Sequence, residues 1–349
     1  MRQFDYTAVP KGLLTQETMN LLAAVHECRG RQESDLSVGR DVLDALVEVA
    51  RVQSAGASNR IEGIRTSDAR LRCIMEERTD PRSRDEEEIA GYRDVLATIH
   101  EGHDYIEPTP GVILQLHRDM YRHTPFSGGG RFKDSDNEIV GIRADGSRYV
   151  RFRPVPAVAT PDAVEWLCAA LREGLSRGGA DPLLVSMEFV LDFTCVHPFG
   201  DGNGRMSRLL TLLLLYRCGY LVGKYVSVEK EIERTKGDYY DALAESSAGW
   251  AEGTNDPGPF VRYMLGVVLA CYRDLGRRVG AVRSARLTKS ERVEAALRGS
   301  IGKVTKADLL EACPGVSRTT VERALAALLA RGAIEKVGGG RSTGYVWRG

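Results

Sequence analysis

Most of this chain reads helical. Apolar residues recur at helical spacing, and short polar or Gly/Pro-rich breaks divide them into segments. Candidate helices run over Arg84–His100, Gly111–His123, Asp162–Ser176, Leu183–Val196, Met206–Cys218, Glu229–Ser246 and Phe260–Arg278. Further upstream, Val42, Ala45, Leu46, Val49 and Ala50 keep the same spacing, and Gly63 reads as that helix's C-terminal stop. The leucine run Leu209–Leu215 has the look of a buried helix. One region departs from this pattern. Between Gly128 and Pro154, two β-prone runs, Glu138-Ile-Val-Gly and Tyr149-Val-Arg-Phe-Arg, flank Asp145-Gly146, a hairpin signal. The fold class is therefore mainly α: an all-α core with a small β-hairpin.

The pattern changes after Arg278. Three helices are expected at Lys289–Leu297, Lys306–Cys313 and Arg318–Ala330, the last with Val321, Ala324, Leu325, Leu328 and Leu329 on one face. Strands at Ala333–Val337 and Gly344–Trp347 enclose a glycine-rich stretch ending at Arg341. Charge is segregated too: residues 283–349 hold 13 Lys/Arg against 6 Asp/Glu, a net of +7, so residues 1–282 carry −7 in a chain with 48 of each. A basic segment points to an acidic partner such as DNA. The order of elements resembles a winged helix-turn-helix. That resemblance implies that Ser317, Arg318, Thr319 and Thr320 face the major groove, Arg341 sits on the wing and Lys306 contacts phosphate. Winged helices also serve as protein-docking or dimerisation modules, and both readings stay open.

The densest chemistry lies at His197-Pro-Phe-Gly-Asp201-Gly-Asn-Gly-Arg205-Met-Ser-Arg208. Proline at 198 disfavours the α region for His197, so the preceding helix should stop there. Gly200, Gly202 and Gly204 permit turns that direct N–H groups inward. The helix that follows then presents its N-terminus to the loop, an anion site by construction. An imidazole titrates near pH ~6.5 and can act as a neutral base. A single Asp suffices for Mg²⁺ when phosphates supply the other oxygens, and arginine forks suit non-bridging oxygens.

These residues resemble the signature of the Fic family, HPFx(D/E)GNGRxxR, with every specified position filled, and the likeness extends over roughly residues 35–255. It implies transfer of AMP from ATP to a protein Ser, Thr or Tyr hydroxyl. By position, His197 would be the general base and Asp201 would hold Mg²⁺. Gly202, Asn203 and Gly204 would line the anion nest beside Gly200, Arg205 would grip phosphate, Arg208 would reach the γ-phosphate and Phe199 would anchor the loop. The hairpin would be a flap, with Glu138, Ile139, Val140, Tyr149 and Val150 clamping an extended target chain. Tyr239 and Tyr240 could line the base pocket or pack in the core.

A second constellation is Ser58-Asn-Arg-Ile-Glu62-Gly63. Glu62 stands at the negative end of its helix, which is unfavourable without a nearby cation, and Arg208 can supply one. The segment resembles the inhibitory motif (S/T)xxxE(G/N) of Fic proteins. This implies that Glu62 pairs with Arg208 and obstructs the γ-phosphate, with Ser58 one turn before it. In some relatives the same Glu assists removal of AMP.

The expected domains are 1–105 with the inhibitory helix, 106–282 as catalytic core with trailing helices, and 283–349 as winged helix. The chain has room for a sizeable core. No stretch spans a bilayer, and Met1–Leu14 lacks a basic-then-apolar leader pattern, so the expectation is a cytoplasmic protein without membrane contact. The 7 cysteines are scattered and read as reduced core thiols. The six histidines are dispersed. Expected partners are a target protein, the chain itself included, DNA, and a second copy of the chain. The main functional expectation is Mg²⁺-dependent AMP transfer held low by Glu62. The alternatives are a DNA-binding regulator with a nucleotide-sensing or self-modifying core, and a de-AMPylase using Glu62.

Overall fold

The computed structural model describes residues 2–142, 147–286, 288–298, 300, 302–339 and 343–348. Fourteen α-helices, three short 3-10 helices and two antiparallel hairpins make up its regular structure among these residues. In chain order they are α1 (Gln16–Asp35), α2 (Arg40–Ile61), α3 (Asp68–Met75), α4 (Arg84–Gly102), α5 (Pro110–Met120), β1 (Ile139–Ile142), β2 (Arg148–Phe152), α6 (Thr160–Arg177), α7 (Pro182–Val196), α8 (Asn203–Arg217), α9 (Val228–Arg234), α10 (Lys236–Ser247), α11 (Gly258–Arg286), α12 (Lys289–Arg298), α13 (Lys306–Ala312), α14 (Arg318–Ala330), β3 (Ile334–Val337) and β4 (Gly344–Trp347). They form two compact units, Met1–Leu275 and Gly276–Gly349, and the division falls within α11.

The first unit is built around α7 and α8, which are buried on nearly every side. That is why α7 is apolar around nearly its whole circumference and not along one stripe, while the first half of α8 buries Asn203, Arg205 and Arg208 among its apolar residues. Asp181 caps α7 by accepting from the Leu183 N–H, with Pro182 at the first helical position. The helix ends at Val196, where His197 turns into the left-handed region at φ 50°. This sharp turn brings the Pro198–Gly202 loop back so that α8 starts beside the end of α7. Packed against this pair, α4 and α2 bring their own side chains to the loop.

Several boundaries differ from the sequence expectation. The segment Glu229–Ser246 is two helices, broken at Thr235, whose hydroxyl donates to the Glu231 carbonyl and meets the Tyr263 hydroxyl at 2.8 Å. A threonine that bonds back one turn competes with the helical ladder, and here the chain bends at it. The helix expected over Gly111–His123 stops at Met120, because Tyr121 and Thr124 close a turn instead. α8 begins three residues earlier than expected, at Asn203. Two helices, α1 and α3, lie outside those expected from the periodicity. Of the cysteines, Cys168, Cys195, Cys271 and Cys313 are buried, whereas Cys28, Cys73 and Cys218 are partly exposed and so are not all core thiols.

The hairpin strands β1 and β2 pair as expected, while Asp145 and Gly146 lie outside the described residues. In the second unit, α12, α13 and α14 pack with the β3–β4 hairpin around Val293, Leu297, Leu309, Val321, Leu325, Ile334 and Tyr345. Val304 bridges to Tyr345 beside that hairpin. Leu329 does not join this core: it is among the exposed large apolar residues, one turn past the buried face of α14. No described helix is long and apolar enough to cross a membrane.

Candidate active site

The loop after α7 is held by side chains from three other elements. Asn203 acts as its brace: its Oδ1 accepts from the Phe199 N–H at 2.9 Å and its Nδ2 donates to the Phe199 carbonyl at 2.8 Å. The Phe199 ring is fully buried and stacks on His117 of α5, with centroids 3.6 Å apart and planes within 4°. His117 in turn accepts from the Gly130 N–H at Nδ1 and, through Nε2, donates to the Asp201 carbonyl at 3.1 Å. Burial keeps that imidazole neutral by pushing its pKa down to about 4. From the other side, Lys133 donates to the Val196 carbonyl at 3.3 Å and Asn137 to the Phe199 carbonyl. His117, Lys133 and Asn137 are not among the residues that the motif singles out. Their only signal is being polar and buried, which no single sequence reveals.

His197 Nδ1 faces the Thr194 carbonyl at 3.3 Å, so its proton sits on that nitrogen and the Nε2 lone pair is left for the cavity. Burial lowers its pKa to about 4, and the nearby Lys133 cation pushes the same way. A cavity of about 310 Å³ opens at this histidine. Its lining includes Gly204 and Arg208 of α8, Glu62 from the end of α2, Tyr239, Tyr240, Leu243 and Ser247 of α10, and Glu138, Ile139, Arg151 and Phe152 of the hairpin. Gly204 is required by close approach: a Cβ there would stand 2.2 Å from Glu62 Oε1. Gly202, at φ 81°, faces Met120 and the Tyr121 hydroxyl equally closely.

Glu62 accepts from Arg208 Nη2 at 2.7 Å. The same guanidinium donates from Nε to Ser58 Oγ at 2.8 Å and from Nη2 to the Ser58 carbonyl at 2.9 Å. Ser58 is fully buried, Arg208 is 2% exposed and Glu62 is 31% exposed. Gly63, at φ 86°, ends α2 just beyond Glu62. The end of α2 is fastened in turn to α9 and α10. Arg60 makes a two-pronged pair with Glu233 at 2.6 and 2.9 Å, and Lys236 donates to the Ile61 carbonyl at 2.7 Å.

The other loop residues stand apart from the cavity lining. Arg205 is 1% exposed, paired with Glu88 of α4 at 2.7 Å and donating to the Tyr121 hydroxyl at 2.6 Å. Asp201 is 47% exposed; its Oδ1 accepts from the Gly202 N–H, and Arg84 and Arg205 both stand 3.9 Å away. An exposed carboxylate with spare lone pairs is a hard oxygen donor of the kind Mg²⁺ takes, whereas the space beside Gly204 is filled by the Glu62 carboxylate. On the hairpin, Glu138 is paired with Arg153 at 3.1 Å, Ile139 faces the cavity, and Val140, Tyr149 and Val150 are each 38% exposed.

In the second unit Ser317 caps α14, meeting Thr320 through its hydroxyl at 2.9 Å, and Arg318 and Thr319 are exposed. Lys306 and Arg318 both approach Glu322, at 2.9 and 3.6 Å. Arg341 lies outside the described residues.

A histidine at a helix end, a glycine loop opening onto the next helix, and a hairpin facing both define a Fic domain. Residues 107–215 match the Fic/DOC family and residues 289–348 match the C-terminal domain of the DIP2311-like transcriptional regulators. The chain thus carries a Fic domain followed by a regulator-type domain. Among curated proteins it resembles the protein adenylyltransferase Fic of Aedes aegypti, 32% identical over 66% of this chain and 43% of that one. The protein of the same name from Drosophila willistoni is 31% identical over 71% and 48%. The chain therefore spans about half the length of these relatives. The fold of a Fic family protein from Desulfovibrio desulfuricans matches over 98% of both chains, with a TM-score of 0.61 at 23% identity. A fragment of Fic-1 from C. elegans matches over 77% and 73%, with a TM-score of 0.58 at 23% identity.

Proposed function

We propose that this protein transfers AMP from ATP to a hydroxyl of a target protein and that Glu62 holds the activity low. The observation that carries the reading is the meeting of His197, Gly204 and Arg208 at one cavity with Glu62 lying on Arg208. In this mechanism His197 Nε2 takes the proton of the target hydroxyl. The freed oxygen bonds to the α-phosphorus, the bond from that phosphorus to its bridging oxygen breaks, and pyrophosphate leaves. The amides at the start of α8 and the Arg208 guanidinium would hold the phosphate chain. Asp201 is the residue that would hold Mg²⁺, which when bound neutralises phosphate charge. The exposed hairpin edge at Val140 and Val150 would register the target by main-chain pairing. As long as Glu62 occupies Arg208, that cation is not available to the γ-phosphate.

The test is incorporation of label from ATP carrying it at the α-phosphate. Glu62→Gly is expected to label protein, itself or an added target, and Glu62→Gly with His197→Ala is expected to label none. Equal labelling in the double variant removes His197 from the role of base. If Glu62 instead positions a water that releases AMP from a modified target, Glu62→Gly loses that release.

A second reading is supported by the C-terminal match to transcriptional regulators: the chain binds DNA through α14 and senses nucleotide through its Fic domain. Salt-dependent binding to a duplex, lost on replacing Arg318 and Thr319 by Ala, tests it.

A further inference from the structure

Of the two arginines lining the cavity, Arg208 is taken up by Glu62 and Ser58, but Arg151 has no such partner. Its Nε is buried without a hydrogen bond, and among the described residues no ion pair ties its guanidinium. Glu138 of the hairpin, which lines the same cavity, is already paired with Arg153. A buried N–H without an acceptor is costly, which points to a ligand that supplies one.

The backbone aims Arg151 inward. Ile139 pairs with Phe152 and Val140 with Val150, so Arg151 is the extra residue of a β-bulge. In a regular strand Arg151 and Phe152 would face opposite sides of the hairpin. Here both line the cavity, the re-aiming that bulges produce. What surrounds Arg151 differs from the phosphate end. There, Gly204 and Arg208 meet the start of α8. Next to Arg151 on the hairpin, Phe152 and its cross-strand partner Ile139 give the cavity apolar lining, to which α10 adds Leu243 and the Tyr240 ring. The charges of both Arg208 and Arg151 act on the Tyr240 hydroxyl, so both guanidinium groups lie within electrostatic reach of it. Apolar walls with a single fork of donors suit a heterocycle better than a phosphate.

We infer that Arg151 binds the nucleoside end of the nucleotide, donating to or stacking on its base, and so sets base preference from the hairpin. This rests on the reading of the cavity as a nucleotide site. It makes Arg151 a specificity residue and leaves the proton transfer to His197.

The test is calorimetric titration of the full chain with three probes in magnesium buffer: ATP, adenosine and inorganic tripolyphosphate. Arg151→Met is expected to weaken ATP and adenosine by a similar factor, about tenfold, with tripolyphosphate unchanged. Arg151→Lys, which keeps the charge but loses the planar fork, is expected to stay within about threefold of the Met variant. Loss confined to ATP and tripolyphosphate overturns the inference in favour of a phosphate contact. Full recovery by Lys overturns it in favour of a bare charge. Unchanged binding of all three probes overturns it as well and moves Arg151 to the target's side. Wild-type protein that binds neither ATP nor adenosine overturns the nucleotide reading together with the inference. Should Arg151→Met melt several degrees lower, Arg151→Gln is read by the same criteria.

Discussion

Glu62 and Arg208 are 146 positions apart in sequence and 2.7 Å apart in the fold. Arg208 is fully enclosed, and two of its remaining bonds also go to α2, at Ser58. Removing Glu62 therefore does two opposed things: it frees a cation for phosphate and leaves that cation buried with a weaker set of acceptors. Glu62→Gly is expected to raise AMP transfer by tenfold or more while losing about 1–3 kcal/mol of stability, below the full cost of breaking a buried pair because Glu62 is partly exposed. ATP should restore more of the melting temperature in this variant than in wild type. Calorimetry with and without ATP checks both parts, and a variant that is active yet fully as stable contradicts the account.

The pH dependence follows from His197. Burial holds its imidazole at about 4, so it stays neutral through the range where an ordinary histidine, near ~6.5, would be charged. In Glu62→Gly protein the acid limb of kcat/KM is expected below pH 5. A limb centred at 6–7 would mean that burial does not govern this group. The linkage has a definite sign. His117 is also pushed down to about 4, so the unfolded chain binds a proton there between pH ~6.5 and 4 that the folded chain refuses. Its contribution to stability is complete above ~6.5 and is lost as pH falls towards 4. His117→Gln is expected to reduce the stability lost between pH 7 and 5 by about 1–2 kcal/mol, read from urea unfolding at each pH.

Gly204 separates an opened site from a filled one. A methyl at this position would collide with Glu62 Oε1 and also occupy the space at the start of α8. Gly204→Ala is expected to disturb the pairing with Arg208 yet show no gain in AMP transfer, because the phosphate seat is obstructed. Combined with Glu62→Gly, it should reduce the labelling of the single variant at least tenfold. Labelling as strong as in Glu62→Gly alone would mean that phosphate binds elsewhere.

In the second unit, Glu322 sits between the two cations expected to meet DNA, Lys306 and Arg318. If this face binds duplex, Glu322→Gln is expected to raise affinity several-fold at low salt and to steepen the salt dependence by about one to two counterions. Fluorescence anisotropy of a labelled duplex across a salt series checks this. No response would favour protein docking for this domain.

Two helix ends beside the site were legible in the chain. Pro198 marks the end of α7 and Gly63 the end of α2, because both act through local backbone rules that need no tertiary context. The Glu62–Arg208 contact was legible through the resemblance of Ser58–Gly63 to the inhibitory motif, while the carboxylate at a helix C-terminus marked Arg208 only as a candidate cation. Arg205 was not. The motif suggests that it grips phosphate, but the fold pairs it with Glu88 from a helix far away in sequence, which no spacing encodes. Thr235 hid for a related reason: a single threonine within a helical pattern is ordinary until its hydroxyl finds Glu231 and Tyr263. The bulge at Arg151 depends on a cross-strand register that no run of residues specifies by itself.

The rivets at the tip of α2 decide how Arg208 can be let go. Arg60 on Glu233 and Lys236 on the Ile61 carbonyl fasten that tip to α9 and to α10, and α10 also carries Tyr239 and Tyr240. Dragging α2 outward would tear those ties and deform the seat of the ring at the same stroke, spoiling the site it was meant to free. A swivel of the Glu62 side chain about its own bonds disturbs neither. The economical key for this lock is thus whatever offers that one carboxylate a better host outside the cleft.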